Sequence, residues 1–177
     1  MIVLFVFLSL FAILLLLWQI SNIASVFFGS PYVKTNRRII IKALKLAGLK
    51  KNEIFYDLGS GNGDAIVEAT KLGAKATGFE ISPFYYFWGK LRTWRDSRIK
   101  IKFQNINNID LNKADVVYCY LLPKFLEKLI PKFKKELKPG SRLISIGFPI
   151  KNTTFSTPAS KVGNYTIQNR KVYIYKF

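Results

Sequence analysis

Tyr56-Asp57-Leu58-Gly59-Ser60-Gly61-Asn62-Gly63-Asp64 is the stretch that decides the fold, an apolar strand running straight into a glycine-rich turn. Glu53-Ile54-Phe55 leads into it, and Ala65-Ile66-Val67-Glu68-Ala69-Thr70 after it reads as a helix. A strand, a tight glycine turn and a helix N-terminus make a place where backbone comes close to a ligand. A second strand, Lys75 to Phe79, ends at Glu80, 23 residues past Asp57. At about that spacing a carboxylate meets the ribose hydroxyls of a nucleotide in a Rossmann-like βαβ unit. The segment therefore reads as a nucleoside-cofactor site.

The glycine spacing narrows the nucleoside. Dinucleotide folds use G-x-G-x-x-G, with a pyrophosphate on the helix N-terminus. Here the pattern is Gly59-x-Gly61-x-Gly63, followed by the acid Asp64. A carboxylate at that point repels a pyrophosphate and tolerates a cationic ligand without phosphate. S-adenosylmethionine has a sulfonium, an amino group and an adenosine, and fits. The turn resembles the first motif of class I methyltransferases, E/D-x-G-x-G-x-G. That resemblance implies cofactor contacts at Asp57, Gly59, Ser60, Gly61, Gly63 and Glu80. It also implies a polar side chain near the adenine after the third strand, where Asn105 stands; an ordinary turn residue is the competing reading of Asn105.

Composition agrees with one such domain. The 177 residues are 50% hydrophobic, enough for a core. The single Cys119 excludes an internal disulfide framework, and its apolar strand suits a buried structural thiol. There is no histidine, so the usual general base and zinc ligand are absent. Methyl transfer from a sulfonium requires neither.

The N-terminus reads differently. No charged residue precedes Lys34, and Met1 to Trp18 is apolar apart from Ser9. Eighteen helical residues span about 27 Å, close to the hydrocarbon thickness of a bilayer. A signal peptide would show a positive n-region and a small-residue cleavage site, and neither is evident. Residues 1–20 are thus expected to form a single-pass membrane anchor, 21–33 a linker and 34–177 the domain. All 28 Lys and Arg lie beyond Val33, so the positive-inside rule puts the domain on the cytoplasmic side. A helix is expected from about Asn36 to Ala47, capped by Thr35 or Asn36 and ended by Gly48.

Downstream, helical patterns over 83–95 and 122–137 alternate with strands over 99–103, 114–120 and 141–148. Pro131 should kink or split the second helix. A terminal hairpin is expected, with arms 164–167 and 171–177 and a turn at Gln168-Asn169-Arg170. The fold class is α/β, a Rossmann-like sheet that is mostly parallel with an antiparallel C-terminal hairpin. The ligand should lie over the carboxyl ends of the strands, at Asp57, Glu80 and Tyr120.

Five segments in this order carry a closer resemblance: Pro31-Tyr32-Val33-Lys34-Thr35, the glycine turn, Gly78-Phe79-Glu80-Ile81, Val116-Val117-Tyr118-Cys119-Tyr120-Leu121-Leu122-Pro123 and Leu137-Lys138-Pro139-Gly140-Ser141-Arg142. Together they resemble the small membrane-anchored protein-lysine methyltransferases related to those acting on the ATP synthase c-subunit and the adenine nucleotide translocase. The likeness covers most of Pro31 to Phe148. It implies S-adenosylmethionine as cofactor, a membrane-protein substrate, and a segment from Tyr32 to Thr35 that closes over the cofactor. Lys34 and Asn62 depart from the proline and aspartate usual in that family.

A lysine acceptor must lose its proton first, which from a pKa near 10.4 costs about 4.6 kcal/mol at pH 7 and is reduced by desolvation among aromatics. Tyr32, Tyr118, Tyr120 and Phe148 are the candidate walls, and Tyr120, at a strand end, is the candidate catalytic residue. Core packing is the competing role for such aromatics, with Tyr118 and Tyr120 on one face and Cys119 on the other. The formal charge of +18 suits anionic lipid headgroups. Nucleic acid is the rival partner, drawn by Lys90, Arg92, Arg95, Arg98, Lys100 and Lys102 around Trp88 and Trp94. Against it, the Asn/Asp-Pro-Pro-Tyr motif of many nucleic-acid methyltransferases is absent. Lipid, quinone or RNA methylation, and a non-catalytic basic module that binds cofactor, remain open.

Overall fold

Seven strands of one sheet run in the order β3-β2-β1-β4-β5-β7-β6 in the computed structural model, which describes residues 1–27, 32–150 and 160–177. The strands are β1 (Ile54–Leu58), β2 (Lys75–Glu80), β3 (Ile99–Phe103), β4 (Val116–Cys119), β5 (Arg142–Ile146), β6 (Ser160–Ile167) and β7 (Arg170–Lys176). The helices are α1 (Ile2–Phe27), α2 (Arg37–Leu46), α3 (Asp64–Lys71), α4 (Pro83–Thr93) and α5 (Pro123–Glu136). β1 to β5 pair in parallel, and β7 joins β5 antiparallel. The α/β sheet with an antiparallel hairpin is the expected one.

Period-2 alternation divides the core. Phe55, Ala76, Ile101, Val116, Tyr118 and Ile144 pack on one face with Ile40, Leu44, Ile66 and Ala69 of α2 and α3. Leu58, Phe79, Val117, Cys119 and Leu143 pack on the other with Leu126, Leu129 and Phe133 of α5. Tyr118 and Cys119 thus face opposite sides, as alternation requires. The Cys119 thiol is buried, and burial pushes it up to about 12, which suits a structural role.

Asn36 caps α2, its side chain accepting from the Arg38 N–H. Arg142 closes the opposite end of the sheet, donating to both Glu53 oxygens and to the carbonyls of Ala47 and Gly48. α5 continues through Pro131 as one helix instead of splitting. Pro131 is exposed, so the carbonyl deprived of its partner opens to water.

The hairpin is longer than its sequence pattern. β6 begins at Ser160, and Ile167 pairs with Arg170. The turn is therefore the two residues Gln168 and Asn169, both at positive φ (46° and 63°), the geometry that matches strand twist. Arg170 belongs to β7. The apolar helix also exceeds its expected length, running seven residues past Ile20 to Phe27; of the rest of the expected linker, 28–31 lies outside the described residues, as does 151–159, while Tyr32 and Val33 line the cleft described below.

Candidate functional site

β1 delivers the chain to a turn that three positive-φ glycines make possible: Gly59 (84°), Gly61 (52°) and Gly63 (83°). The N–H groups of Gly59 and Ser60 donate to the Phe79 carbonyl, and Gly63 N–H donates to Ser60. The turn is thereby pressed on the end of β2. A Cβ on Gly78 would stand 2.6 Å from the Ser60 side chain, so any larger residue there must displace Ser60.

Glu80, only 8% exposed, holds this arrangement. Oε2 accepts from Gly61 N–H at 2.7 Å; Oε1 accepts from the N–H groups of Ile81 and Ser82, each at 2.8 Å. Burial nevertheless raises its pKa above the usual range, against the pull of those three donors. Asp57 is buried at the end of β1. Burial first, then the Glu80 and Asp64 carboxylates, push it well above the ordinary aspartate range.

These groups line an open cleft of about 900 Å³, counting the solvent in its mouth. Tyr32, Thr35, Asp57, Gly59, Ser60, Glu80, Asn105 and Tyr120 all line it. Gly61 and Gly63 do not: Gly61 supplies the N–H that Glu80 holds, and Gly63 sits at the start of α3. Phe148 stands 6.5 Å from the Tyr120 ring, outside the lining. Asn105 lines the cleft, and its side-chain oxygen accepts from the Asn107 N–H as a turn residue's does.

Sequence reasoning missed Tyr85, Phe125 and Arg170. Tyr85 stacks on Tyr32 with ring centroids 4.1 Å apart and lines the cleft. The available signal was Ser82-Pro83, which starts α4 and puts Tyr85 in its first turn. Burial, then Asp64, raises the Tyr32 hydroxyl to about 12. Arg170 donates to the Tyr120 hydroxyl at 2.5 Å and lies over its ring; no local pattern marks a pair fifty residues apart. Asp64 is also tied, at 2.6 Å, to Arg92, so its charge opposes an anionic ligand less than the sequence implies.

The donor set fits an adenosyl cofactor without phosphate. Among the described residues that line the cleft there is no Lys or Arg, whereas there are two buried carboxylates. Two buried hydroxyls, Ser60 Oγ and Tyr118 Oη, have no hydrogen-bond partner of ordinary geometry among the described residues, an uncommon cost for a cleft not meant to bind polar groups. Thr35 is close enough to the Tyr118 hydroxyl to offset part of the rise that burial imposes on it. Among the described residues no cluster of His, Cys, Asp and Glu could hold a metal ion.

Residues 57–157 match the family described as the ANTKMT methyltransferase domain. A protein-lysine N-methyltransferase of Saccharolobus islandicus is 35% identical, over 68% of this chain and 78% of that protein. The adenine nucleotide translocase lysine N-methyltransferase of Mus musculus is 28% identical, over 68% of this chain and 54% of its own. The chain thus spans about half the length of that vertebrate relative. Among solved structures, an RNA methyltransferase from Salinibacter ruber in complex with S-adenosyl-L-homocysteine superposes with a TM-score of 0.74 at 25% identity, covering 81% of this chain and 93% of the other.

Proposed function

This chain belongs to the ANTKMT methyltransferase family and is an S-adenosylmethionine-dependent methyltransferase, and we propose that its acceptor is the ε-amine of a lysine on a membrane protein. We assign α1 as a single-pass anchor, with the domain on the cytoplasmic side. Its Ile2–Ile20 segment has a mean hydropathy of 2.7 and none of it is buried.

The observation that carries the acceptor is the tyrosine wall. Tyr32, Tyr118 and Tyr120 line one cleft with Asp57 and Glu80. The carboxylates suit the cofactor's amine and ribose hydroxyls, with Ser60 and Asn105 beside them; Thr35 borders the wall. The cofactor supplies an electrophilic methyl on a sulfonium. The chain supplies position: the glycine turn and Glu80 fix one partner, and the tyrosines exclude water around the other. An aromatic, poorly hydrated wall disfavours the ammonium form of lysine and lowers its deprotonation cost. Oriented by Arg170, the Tyr120 hydroxyl can hold the amine for in-line attack.

The test is transfer of labelled methyl from S-adenosylmethionine to purified membranes, followed by residue analysis. The expected product is ε-N-methyl-lysine in a membrane protein. Label confined to lipid, quinone or RNA would overturn the acceptor, and cofactor binding without any transfer would favour a non-catalytic module.

A further inference from the structure

α4 buries Gly89 and Thr93 and turns its opposite side outward. A Cβ on Gly89 would meet Ile101 at 2.7 Å and the Gly61 carbonyl at 3.4 Å, so the helix is pressed on β3 and on the glycine turn. Its outer side carries Phe87 (68% exposed), Trp88 (53%), Leu91 (66%) and Trp94 (70%). Positions 87, 91 and 94 follow i, i+4, i+7, and Trp88 stands three residues before Leu91, so the four side chains form one stripe. Phe103 on the edge strand, 55% exposed and 5.5 Å from Tyr86, extends it. A water-facing helix carries polar residues there; a contiguous apolar stripe marks an interaction surface.

Cations surround the stripe. Lys90, Arg92 and Arg95 are exposed, and Arg95 lies over the Trp94 ring at 5.0 Å. Aromatic and aliphatic side chains ringed by Lys and Arg are the composition of a helix lying in a membrane interface. The second observation is position: α1 comes into contact with α4 and leaves the stripe uncovered.

We infer that the outer face of α4 seats in the headgroup layer of an anionic bilayer and sets the orientation of the domain there. The inference rests on α1 being a membrane anchor. It places the cleft, through Tyr85 in the first turn of α4, beside the membrane surface, and so selects lysines that emerge just outside the bilayer. RNA is the weaker occupant, because the stripe is a convex helix side bearing Phe87 and Leu91, not a basic groove. A second copy is weaker too, since the cations on each stripe would repel their counterparts.

The chain has three tryptophans, Trp18 in α1 and Trp88 and Trp94 on the stripe, which makes the test specific. The full chain is reconstituted in phosphatidylglycerol-containing vesicles whose lipids carry bromine near the headgroup or near the chain end. In Trp18→Phe, emission then comes from the stripe alone; in the double variant Trp88→Phe, Trp94→Phe, from the anchor alone. Quenching of the Trp18→Phe protein by at least about twofold with shallow bromine, weakened by Leu91→Asp, is expected. If the anchor tryptophan is quenched while the stripe tryptophans answer only to aqueous acrylamide, the inference fails and the anchor stands. Failure of Trp18 to quench removes the anchor and the inference together. Stripe tryptophans shielded from acrylamide by an added RNA oligonucleotide, or by raising protein concentration, and not by lipid, would replace the bilayer with that occupant.

Discussion

Glu80→Gln separates the job one carboxylate performs in the fold from the cofactor contact we propose for it. In the structure Oε1 accepts two backbone N–H groups and Oε2 accepts the third, from Gly61. The amide oxygen of glutamine can keep the Ile81 and Ser82 pair, but its NH₂ then faces the Gly61 N–H, donor against donor. One bond to a charged acceptor is lost, worth about 1.5–3 kcal/mol gross. Relief of the buried charge offsets part of this, since burial already raises the Glu80 pKa. A net destabilisation of about 1 kcal/mol should lower Tm by roughly 2–4 °C for a domain of this size.

Cofactor binding should fall further than stability. If the free lone pairs of Glu80 accept from the ribose hydroxyls, the variant loses at least one charge-assisted bond in the complex. That loss of about 1.5–3 kcal/mol corresponds to a roughly 10- to 150-fold weaker Kd. Glu80→Ala is the contrasting variant. It leaves all three N–H groups without their acceptor and should cost about 2–4 kcal/mol of stability. Isothermal calorimetry with S-adenosylhomocysteine, paired with thermal melts, reads both quantities. A Glu80→Gln protein that melts a few degrees lower yet binds within twofold of wild type would refute the ribose role and leave Glu80 as a clamp on the turn.

Asp57 makes a pH prediction. Its folded pKa lies well above its unfolded value, so the stability it contributes is full below about pH 4 and is lost as pH rises through the folded value. Without cofactor, wild type should therefore lose stability relative to Asp57→Asn across that window, and coincident Tm profiles for the two would refute it. A cationic ligand should lower the Asp57 pKa, so binding should release protons, seen as a dependence of binding heat on buffer ionisation enthalpy. Gly78→Ala, whose Cβ would overlap Ser60 at 2.6 Å, should cost about 1–3 kcal/mol and weaken cofactor binding at least tenfold, with far-UV dichroism preserved. Tyr120→Phe and Arg170→Ala should each lower kcat roughly tenfold while leaving cofactor Kd unchanged. A full-rate Tyr120→Phe enzyme would place the amine contact elsewhere.

How much of this was legible in the sequence follows from the range of each interaction. The glycine turn, the Asn36 cap and the strand alternation are local, and each stands where the sequence places it. The strand-end position of Glu80 was legible from its spacing alone. That its oxygens grip the turn was not, because the Gly61 N–H comes near only after β1 and β2 pair side by side. Long-range partners hid the rest: Arg170 reaches Tyr120 only because β7 is inserted between β5 and β6. The hairpin turn was blurred for a different reason, since Gln168 shows none of the usual preference for positive φ.

The contact of Tyr32 with the site belongs to the same long-range class. Four residues separate the end of α1 at Phe27 from Tyr32, whose ring stacks on Tyr85 and leaves no room for a Cβ on Gly61. One tyrosine therefore connects the glycine turn and the first turn of α4. The positive-φ glycine and the early aromatic were each visible in isolation. What the fold adds is that they are in contact, so a displacement of α4 that breaks the Tyr32–Tyr85 stack also moves a ring that packs on the glycine turn and lines the cleft.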